Sequence, residues 1–534
     1  MILDKDLLSI QEARELSRKA HEAQSEFKHF SQQQVDKIIK SMAEAGYKAS
    51  KLLAEMAVEE SGFGKVEDKI IKNQFGTKNV YESIKDLKTV GIVGEEANGK
   101  VLKIAVPMGV VAALIPSTNP TSTAMFKTLI SLKGRNAIVA SPHPRTVKCT
   151  IESLKILSEA AVSAGAPDGL IQCLTDPTIE GTEALMRDKN IAVILATGSN
   201  PMVKAAYSSG TPAYGVGSGN VPAFIERSAN INKAVADILY GTTFDNGTLC
   251  SSEQAIISDE PVDKAVREEI KAQGGYFLSA DEKEKLGNAI QTNFRINPEI
   301  VGQSAAFIAK YTGFSVPENT RVLIAECYDV GRNEPLSMEK LSPILAYYTV
   351  NGWLEGCHKC IDLLNFGGVG HTMVIHSSDQ PIIMKFALEK PAFRVLVNTV
   401  GSLGAVGSTT ALYPSMTLGP GTWGGSIISE NVTAKHLINI KSLAFETNPV
   451  NEGKSVAQFD VQRTHGTKDM FMREIEERLK ARAGNLPLKD SYQYTNEKEP
   501  EIKNDHPKPK SNVSFGKGIS EEEILAIIEE FERK

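Results

Sequence analysis

The sequence predicts an α/β protein built on doubly wound parallel sheets, and three observations carry that expectation. Between about residues 109 and 220, apolar strand-like runs alternate with amphipathic helical segments. The strand runs are continuously apolar rather than alternating, as in Val110-Val111-Ala112-Ala113-Leu114-Ile115, the pattern of a strand covered on both faces. A second alternating region follows from about 222 to 420, and 534 residues give room for two or three cores.

The elements follow in order. Residues 9–60 repeat apolar positions at helical spacing, with Ile10, Ala13 and Leu16, then Val35, Ile38, Ile39 and Met42, and predict a helical N-terminal layer. Near residue 90 the pattern turns to strands, Val90–Val93 and Val101–Val106, joined by a turn whose signal is Asn98-Gly99. After the strand at 110–115 come a helix over 122–133, a strand over 136–140, a helix over 150–165, a strand over 170–174, a helix over 179–188 and a strand over 191–196. In the second region Ala255–Ile257 and Val322–Ala325 read as strands, and 262–273 and 281–291 as helices. Residues 485–518 are rich in Lys, Glu, Asn, Pro and Ser and read as a disordered linker. The chain then closes on a short periodic helix. Ser520 and Glu523 form its capping box, and Ile524, Ile527, Ile528 and Phe531 form one apolar stripe.

Composition narrows the function. Apolar residues are 41% and charged residues 23%, ordinary for a soluble enzyme. A net charge of −6 argues against a nucleic acid or an anionic membrane as the main partner. No run approaches the roughly 18 apolar residues of a bilayer span. The start, Met1-Ile2-Leu3-Asp4-Lys5-Asp6, shows no secretory pattern, so the expected location is the cytoplasm. Six cysteines do not make a disulfide scaffold here, and an exceptional one should be exceptional for reactivity. Cys357-His358-Lys359-Cys360 has no second ligand pair at similar spacing, so no metal is expected, and the pair reads as two positions on a helix face.

Three segments bear chemistry. Thr243-Phe244-Asp245-Asn246-Gly247-Thr248-Leu249-Cys250-Ser251-Ser252-Glu253 places Cys250 in a small, polar stretch after a helix and before a strand, where an activated thiol can meet a ligand. Local composition alone leaves a structural cysteine equally open. Ile115-Pro116-Ser117-Thr118-Asn119-Pro120 ends the first parallel strand, at the edge where open α/β sheets bind ligands. The Asn119 amide there is either an oxyanion donor or a helix cap. The glycine-bearing runs Ala196–Asn200 and Gly215–Asn220 each follow an apolar run and allow close backbone approach to a phosphate or thioester, although neither fits GxGxxG.

In this order the motifs resemble the aldehyde dehydrogenase superfamily, specifically its CoA-acylating branch, over roughly residues 5–446. Asn119–Arg145, Phe244–Glu253, Gly370-His371-Thr372 and Leu418–Lys441 are similar to the acylating domain of bifunctional aldehyde-alcohol dehydrogenases. The resemblance implies an aldehyde dehydrogenase-like fold with a Rossmann-type cofactor domain. NAD binding falls to residues 1–221, with a hairpin at 89–107 in an oligomerisation arm. A catalytic domain takes 222–420, a return and oligomerisation segment 421–447, a helical stretch and polar linker 448–518, and an amphipathic helix 519–534. It implies Cys250 as nucleophile and Asn119 as oxyanion donor beside the Cys250 N–H, with Glu339 on the nicotinamide ribose and Leu341 next to it. Ile115, Pro116, Ser117, Thr118, His143, Gly198, Ser199 and Gly217 complete the cofactor set; His143 stands where hydrolytic members carry a Lys-Pro-Ser run. His371 is either a pocket residue or a core histidine.

One departure is informative. Hydrolytic members carry Glu-Leu-Gly-Gly-Lys before the catalytic domain, and its glutamate activates water. Here Tyr214–Asn220 has no carboxylate, so hydrolysis lacks that base, whereas a thiol such as CoA needs less help. The expectation is therefore oxidation of a short-chain aldehyde with NAD and CoA, NADP remaining an alternative cofactor, by a dimer or tetramer. A non-acylating enzyme giving the free acid, an acylating sulfoacetaldehyde dehydrogenase and a catalytically retired scaffold are the rival readings. Residues 519–534 resemble encapsulation peptides that direct enzymes into bacterial microcompartments, so a shell or core protein is the expected partner of the tail.

Overall fold

Residues 4–292 and 295–450 are described by the structure, a computed structural model. From residue 451 on, the helical stretch and polar linker expected over 448–518 and the helix expected over 519–534 lie outside the described residues. The described chain up to Asn448 belongs to one compact unit.

Helices Lys5–Phe27, Gln32–Lys48 and Ser50–Ser61 form the expected N-terminal layer. Ser31 and Gln34 make a reciprocal capping box at the start of the second, and its stripe Val35, Ile38, Ile39 and Met42 is buried, as spacing i, i+3, i+4, i+7 requires. A fourth helix, Val66–Gln74, runs into a π-helical turn at Phe75–Asn79. The hairpin Gly91–Glu96/Val101–Pro107 turns through Ala97, Asn98 and Gly99, all at positive φ. Its second strand also pairs antiparallel with Ile438–Ala444, so the two segments expected in one arm share a three-stranded sheet.

The core holds two parallel sheets. The five-stranded sheet runs, edge to edge, Ile171–Cys173, Ala137–Pro142, Val110–Ile115, Ile191–Thr197, Ala213–Val216. The chain enters at 110–115, builds outward to 171–173, then returns to the other side at 191–197. The order therefore reverses between Ile115 and Thr197, and a crevice opens at the carboxyl ends of those two strands. The seven-stranded sheet runs Gly275–Phe277, Val322–Glu326, Ile344–Val350, Glu253–Asp259, Val221–Ile225, Gly370–His376, Ala392–Val397, all parallel. Helix Trp353–Gly367 packs on its centre and buries Cys357 and Cys360. No helix among the described residues is long and apolar enough to cross a membrane.

Candidate active site

The Cys250 loop begins where helix Ile231–Thr243 stops. Asp245, Asn246 and Gly247 follow in the left-handed region, at φ 49, 51 and 74°. Two non-glycine residues there cost roughly 1–2 kcal/mol each, so their side chains must be tied. Asn246 Nδ2 donates to Gly302 O at 2.9 Å. Asp245, fully buried, accepts from the Lys65 N–H at 2.8 Å, Lys69 Nζ at 2.9 Å, Thr248 Oγ1 at 2.6 Å and Lys72 Nζ. The turn before helix Val66–Gln74 makes room for it: a Cβ on Gly64 would stand 1.9 Å from Asp245 Oδ1. The lysines hold Asp245 below the usual carboxylate range against the opposing effect of burial.

Asn119 arrives from the other sheet. It occupies the N-cap position of helix Pro120–Lys133, yet its side chain makes no capping bond, so the cap reading fails. Instead Nδ2 donates to Thr248 O at 3.2 Å and to Thr118 Oγ1 at 3.1 Å, and Oδ1 accepts from Lys72 Nζ. The structure thus brings Asn119 against the loop that carries Cys250. Lys127, on the helix that follows Asn119, is buried with no carboxylate partner among the described residues and bridges Leu114 O and Leu195 O at 2.7 and 2.8 Å, tying the two strands at the crevice. Burial alone pushes its pKa well below the ordinary lysine value.

A third wall closes on Cys250 from the seven-stranded sheet. A Cβ on Gly219 would lie 1.8 Å from Cys250 O and 3.3 Å from His371 Cε1, which puts Gly219 against both residues. Glu339 accepts from the Gly219 N–H at 2.8 Å, and the turn that presents it holds Leu341 at φ 48°. His371 is fully buried; its Nδ1 meets Thr372 Oγ1 at 3.0 Å, and Nε2 has no partner among the described residues. Arg394, also buried, donates to Thr372 Oγ1 and to the carbonyls of Gly370, Gly419 and Ser429, with no carboxylate in reach among the described residues. Burial pushes the Cys250 thiol up to about 12 and Glu339 adds to the rise; Arg394 and the backbone N–H groups of Cys250 and Ser251 pull it down. Burial likewise raises Glu339 and holds His371 neutral. Glu253, three residues past Cys250, accepts from the Gly401 N–H through Oε1, its Oε2 has no partner among the described residues, and burial pushes it up to about 8.

The expected cofactor residues gather at the crevice edge. Ile115 ends its strand, with Pro116, Ser117 and Thr118 in the turn after it. His143 follows the neighbouring strand; its N–H donates to Ile115 O at 3.1 Å and its Nδ1 accepts from Arg145 N. Gly198 and Ser199 precede helix Asn200–Tyr207, and Ser199 makes no side-chain cap bond. Gly217 packs against Asn200, where a Cβ would stand 2.0 Å from Oδ1, and so seats its segment on the start of helix Asn200–Tyr207. That uncapped helix start and the Glu339 carboxylate suit a dinucleotide's phosphates and ribose. The residues present fit NAD.

Sequence reasoning missed Lys69, Lys72, Asp245 and Arg394. No sequence signal marks them: Val66–Gln74 buries Lys69, Lys72 and Asn73, at i, i+3, i+4, and exposes Ile71, an inversion of the amphipathic pattern that only the fold reveals.

A thiol loop, an asparagine amide from a second sheet and a dinucleotide crevice define a recognisable set, and comparison decides the family. The aldehyde dehydrogenase family profile matches residues 6–335. The chain belongs to the aldehyde dehydrogenase family. It is 46% identical over 441 residues to the bifunctional aldehyde-alcohol dehydrogenase of Escherichia coli (strain K12), covering 82% of this chain and 50% of that one. It therefore spans about half the length of the curated bifunctional relatives it matches. An acetylating aldehyde dehydrogenase from Geobacillus thermoglucosidasius superposes with a TM-score of 0.83 at 50% identity, covering 84% of this chain and all of that one. A propionaldehyde dehydrogenase from a fucose-utilisation microcompartment of Clostridium phytofermentans gives a TM-score of 0.74 at 29% identity, over 80% and 96% of the two chains.

Proposed function

We propose that this aldehyde dehydrogenase is CoA-acylating, converting a short-chain aldehyde, CoA and NAD⁺ to acyl-CoA, NADH and a proton. The observation that carries the reading is the junction of the Cys250 loop with Asn119, beside a Gly215–Asn220 segment that carries no carboxylate. Similarity to acetylating and propionaldehyde dehydrogenases supports it.

Cys250 is the nucleophile: its sulfur adds to the aldehyde carbon and gives a thiohemiacetal. Asn119 Nδ2 and the Cys250 N–H stabilise the oxyanion. Ile115–Thr118, His143, Gly198, Ser199, Gly217, Glu339 and Leu341 would hold NAD, which would supply the acceptor for the hydride that leaves. The resulting Cys250 thioester passes its acyl group to the CoA sulfur. The domains divide as cofactor-binding to residue 221 and catalytic from 222 to 420, the point where the five-stranded sheet gives way to the seven-stranded one supporting that division. The three-stranded sheet of 91–96, 101–107 and 438–444, with Ile440 and Leu443 exposed, supports assembly into a dimer or tetramer through this arm. The capped, apolar-striped pattern of residues 519–534, and the microcompartment source of one structural neighbour, support a cytoplasmic enzyme delivered to a microcompartment shell or core protein.

Product analysis tests the reading. The purified full chain should form NADH only with aldehyde, NAD and CoA together over many turnovers, with acyl-CoA as product, and Cys250→Ala should abolish turnover. Free acid formed without CoA would make it a hydrolytic enzyme instead.

A further inference from the structure

The side chain of an oxyanion-binding asparagine carries a defect: its amide is nearly two-fold symmetric in shape, and the torsion that flips it is soft. One orientation presents N–H to the substrate oxygen; the other presents a carbonyl and repels it. Something in the protein must choose. At Asn119 the choosing group is a buried cation.

We propose that Lys72 is a positioning residue that sets the Asn119 amide, holding Oδ1 back and turning Nδ2 toward the reacting oxygen. The inference rests on the oxyanion role proposed for Asn119. An ammonium has three hydrogens and no lone pair, so it can only donate. Lys72 Nζ meets three acceptors: Asn119 Oδ1, Asp245 Oδ2 and Thr248 Oγ1, the last at 3.2 Å. The Thr248 hydroxyl hydrogen is committed to Asp245 Oδ2 at 2.6 Å, so its oxygen faces Lys72 as an acceptor. Each donor therefore has one assignment. A flipped Asn119 would set NH₂ against an ammonium, donor against donor, in a site where neither finds water. With Oδ1 fixed, one Nδ2 hydrogen goes to Thr248 O, two residues before Cys250. The second goes to Thr118 Oγ1, a half-buried hydroxyl that can rotate away, and this is the hydrogen given to the substrate.

The charges facing Lys72 are Asp245 across the loop and, on its own helix, Lys69 and Asp68. Burial, with Lys69, lowers the Lys72 ammonium to about 7 although Asp245 and Asp68 oppose the shift. Deprotonation leaves an amine that can donate to Oδ1 or accept from Nδ2, so the choice is lost on the alkaline side.

The test is a double-mutant cycle on the full-length enzyme, read by the pre-steady-state rate of NADH formation with aldehyde. Asn119→Ala should slow this step by about two to three orders of magnitude, the scale of a lost oxyanion donor. Lys72→Met, which keeps the length and removes every donor, should slow it roughly ten- to a hundredfold in the native background. It should have little further effect in the Asn119→Ala background, because the amide it sets is gone. NADH affinity should stay unchanged. Lys72→Gln, which retains one donor for Oδ1, should lose less, and serves if Lys72→Met does not fold. Equal losses in both backgrounds would make Lys72 merely structural and overturn the proposal, as would a Lys72→Met or Lys72→Gln enzyme of native rate. A native rate in Asn119→Ala would instead fail the oxyanion reading on which it stands.

Discussion

The two parallel sheets meet at the site with opposite ends. The five-stranded sheet offers the carboxyl ends of its strands, with Ile115–Asn119 and Gly198–Ser199 each leading into a helix start. The seven-stranded sheet offers the amino ends: Cys250 precedes strand Glu253–Asp259, Glu339 precedes Ile344–Val350, and His371 opens Gly370–His376. In a parallel sheet with helical crossovers, carboxyl ends face helix N-termini and amino ends face helix C-termini. The first edge carries partial positive charge from the backbone and suits phosphates. The second carries the opposite sign, and of its backbone only the N–H groups of Cys250 and Ser251 favour a thiolate. Positive charge there must come from side chains, which is where Arg394, Lys69 and Lys72 lie buried. The cofactor edge is built from backbone, the reactive edge from side chains and close packing.

Two glycines test that difference, with the largest effect expected at the reactive edge. Gly219→Ala would drive a Cβ to 1.8 Å from Cys250 O, a backbone atom that cannot swing aside. We expect it to cut acylating activity by more than about a hundredfold and to lower Tm together, since the cost is overpacking of a buried loop. At the cofactor edge the nearest atom to a Cβ on Gly198 is Met202 Cγ at 4.0 Å. Gly198→Ala should leave Tm unchanged and act only on NAD affinity. Thermal melts and NADH titrations of both variants separate the cases, and equal melting losses would erase the contrast.

The same contrast explains what was legible in the sequence. The parallel strands announced themselves through continuous apolar runs, and Asn119 and Cys250 stood out because each sits where such a pattern breaks into small polar residues. Lys72 and Asp245 did not, because a charged residue reads by default as a solvated face, and the partner that buries this one is 173 residues away. Arg394 hides likewise, on the inward positions of an alternating strand with Ala392 and Leu396. Local pattern locates a backbone-built edge; a side-chain-built one exists only after the sheets have met.

A smaller effect sharpens the electrostatic half of the comparison. With the Cys250 thiol raised to about 12, its thiolate is scarce at neutral pH, and the thiolate is the reactive form. Alkylation of Cys250 by iodoacetamide should therefore rise about tenfold per pH unit through the neutral and mildly alkaline range. Glu339 contributes to the rise, so Glu339→Gln should lower the thiol pKa and speed alkylation at fixed pH severalfold, while weakening NADH binding. Arg394→Met should shift the rate the other way. A pH-independent alkylation rate would mean that the thiol is already ionised and that Arg394 outweighs burial.

The smallest effect on activity belongs to Cys357, and there the roles of reactivity and packing exchange. Cys357 is buried in helix Trp353–Gly367, where its sulfur and its carbonyl, the latter at 3.2 Å, accept from Lys390 Nζ. The same ammonium lies 3.8 Å from the centre of the Phe386 ring. Among the described residues no hydrogen bond or ring contact joins this cluster directly to the Cys250 loop, so Cys357→Ala should leave kcat within about twofold of native. It removes an acceptor from a buried cation, a loss of about 1–3 kcal/mol, visible as a lower midpoint in denaturant titration. Cys357→Ser, which restores an acceptor at that position, should recover part of it. Cys250→Ala should do the reverse, silent in stability and complete in activity. A Cys357→Ala enzyme that melted normally but turned over slowly would place this helix in the mechanism and break the division between the two kinds of buried cysteine.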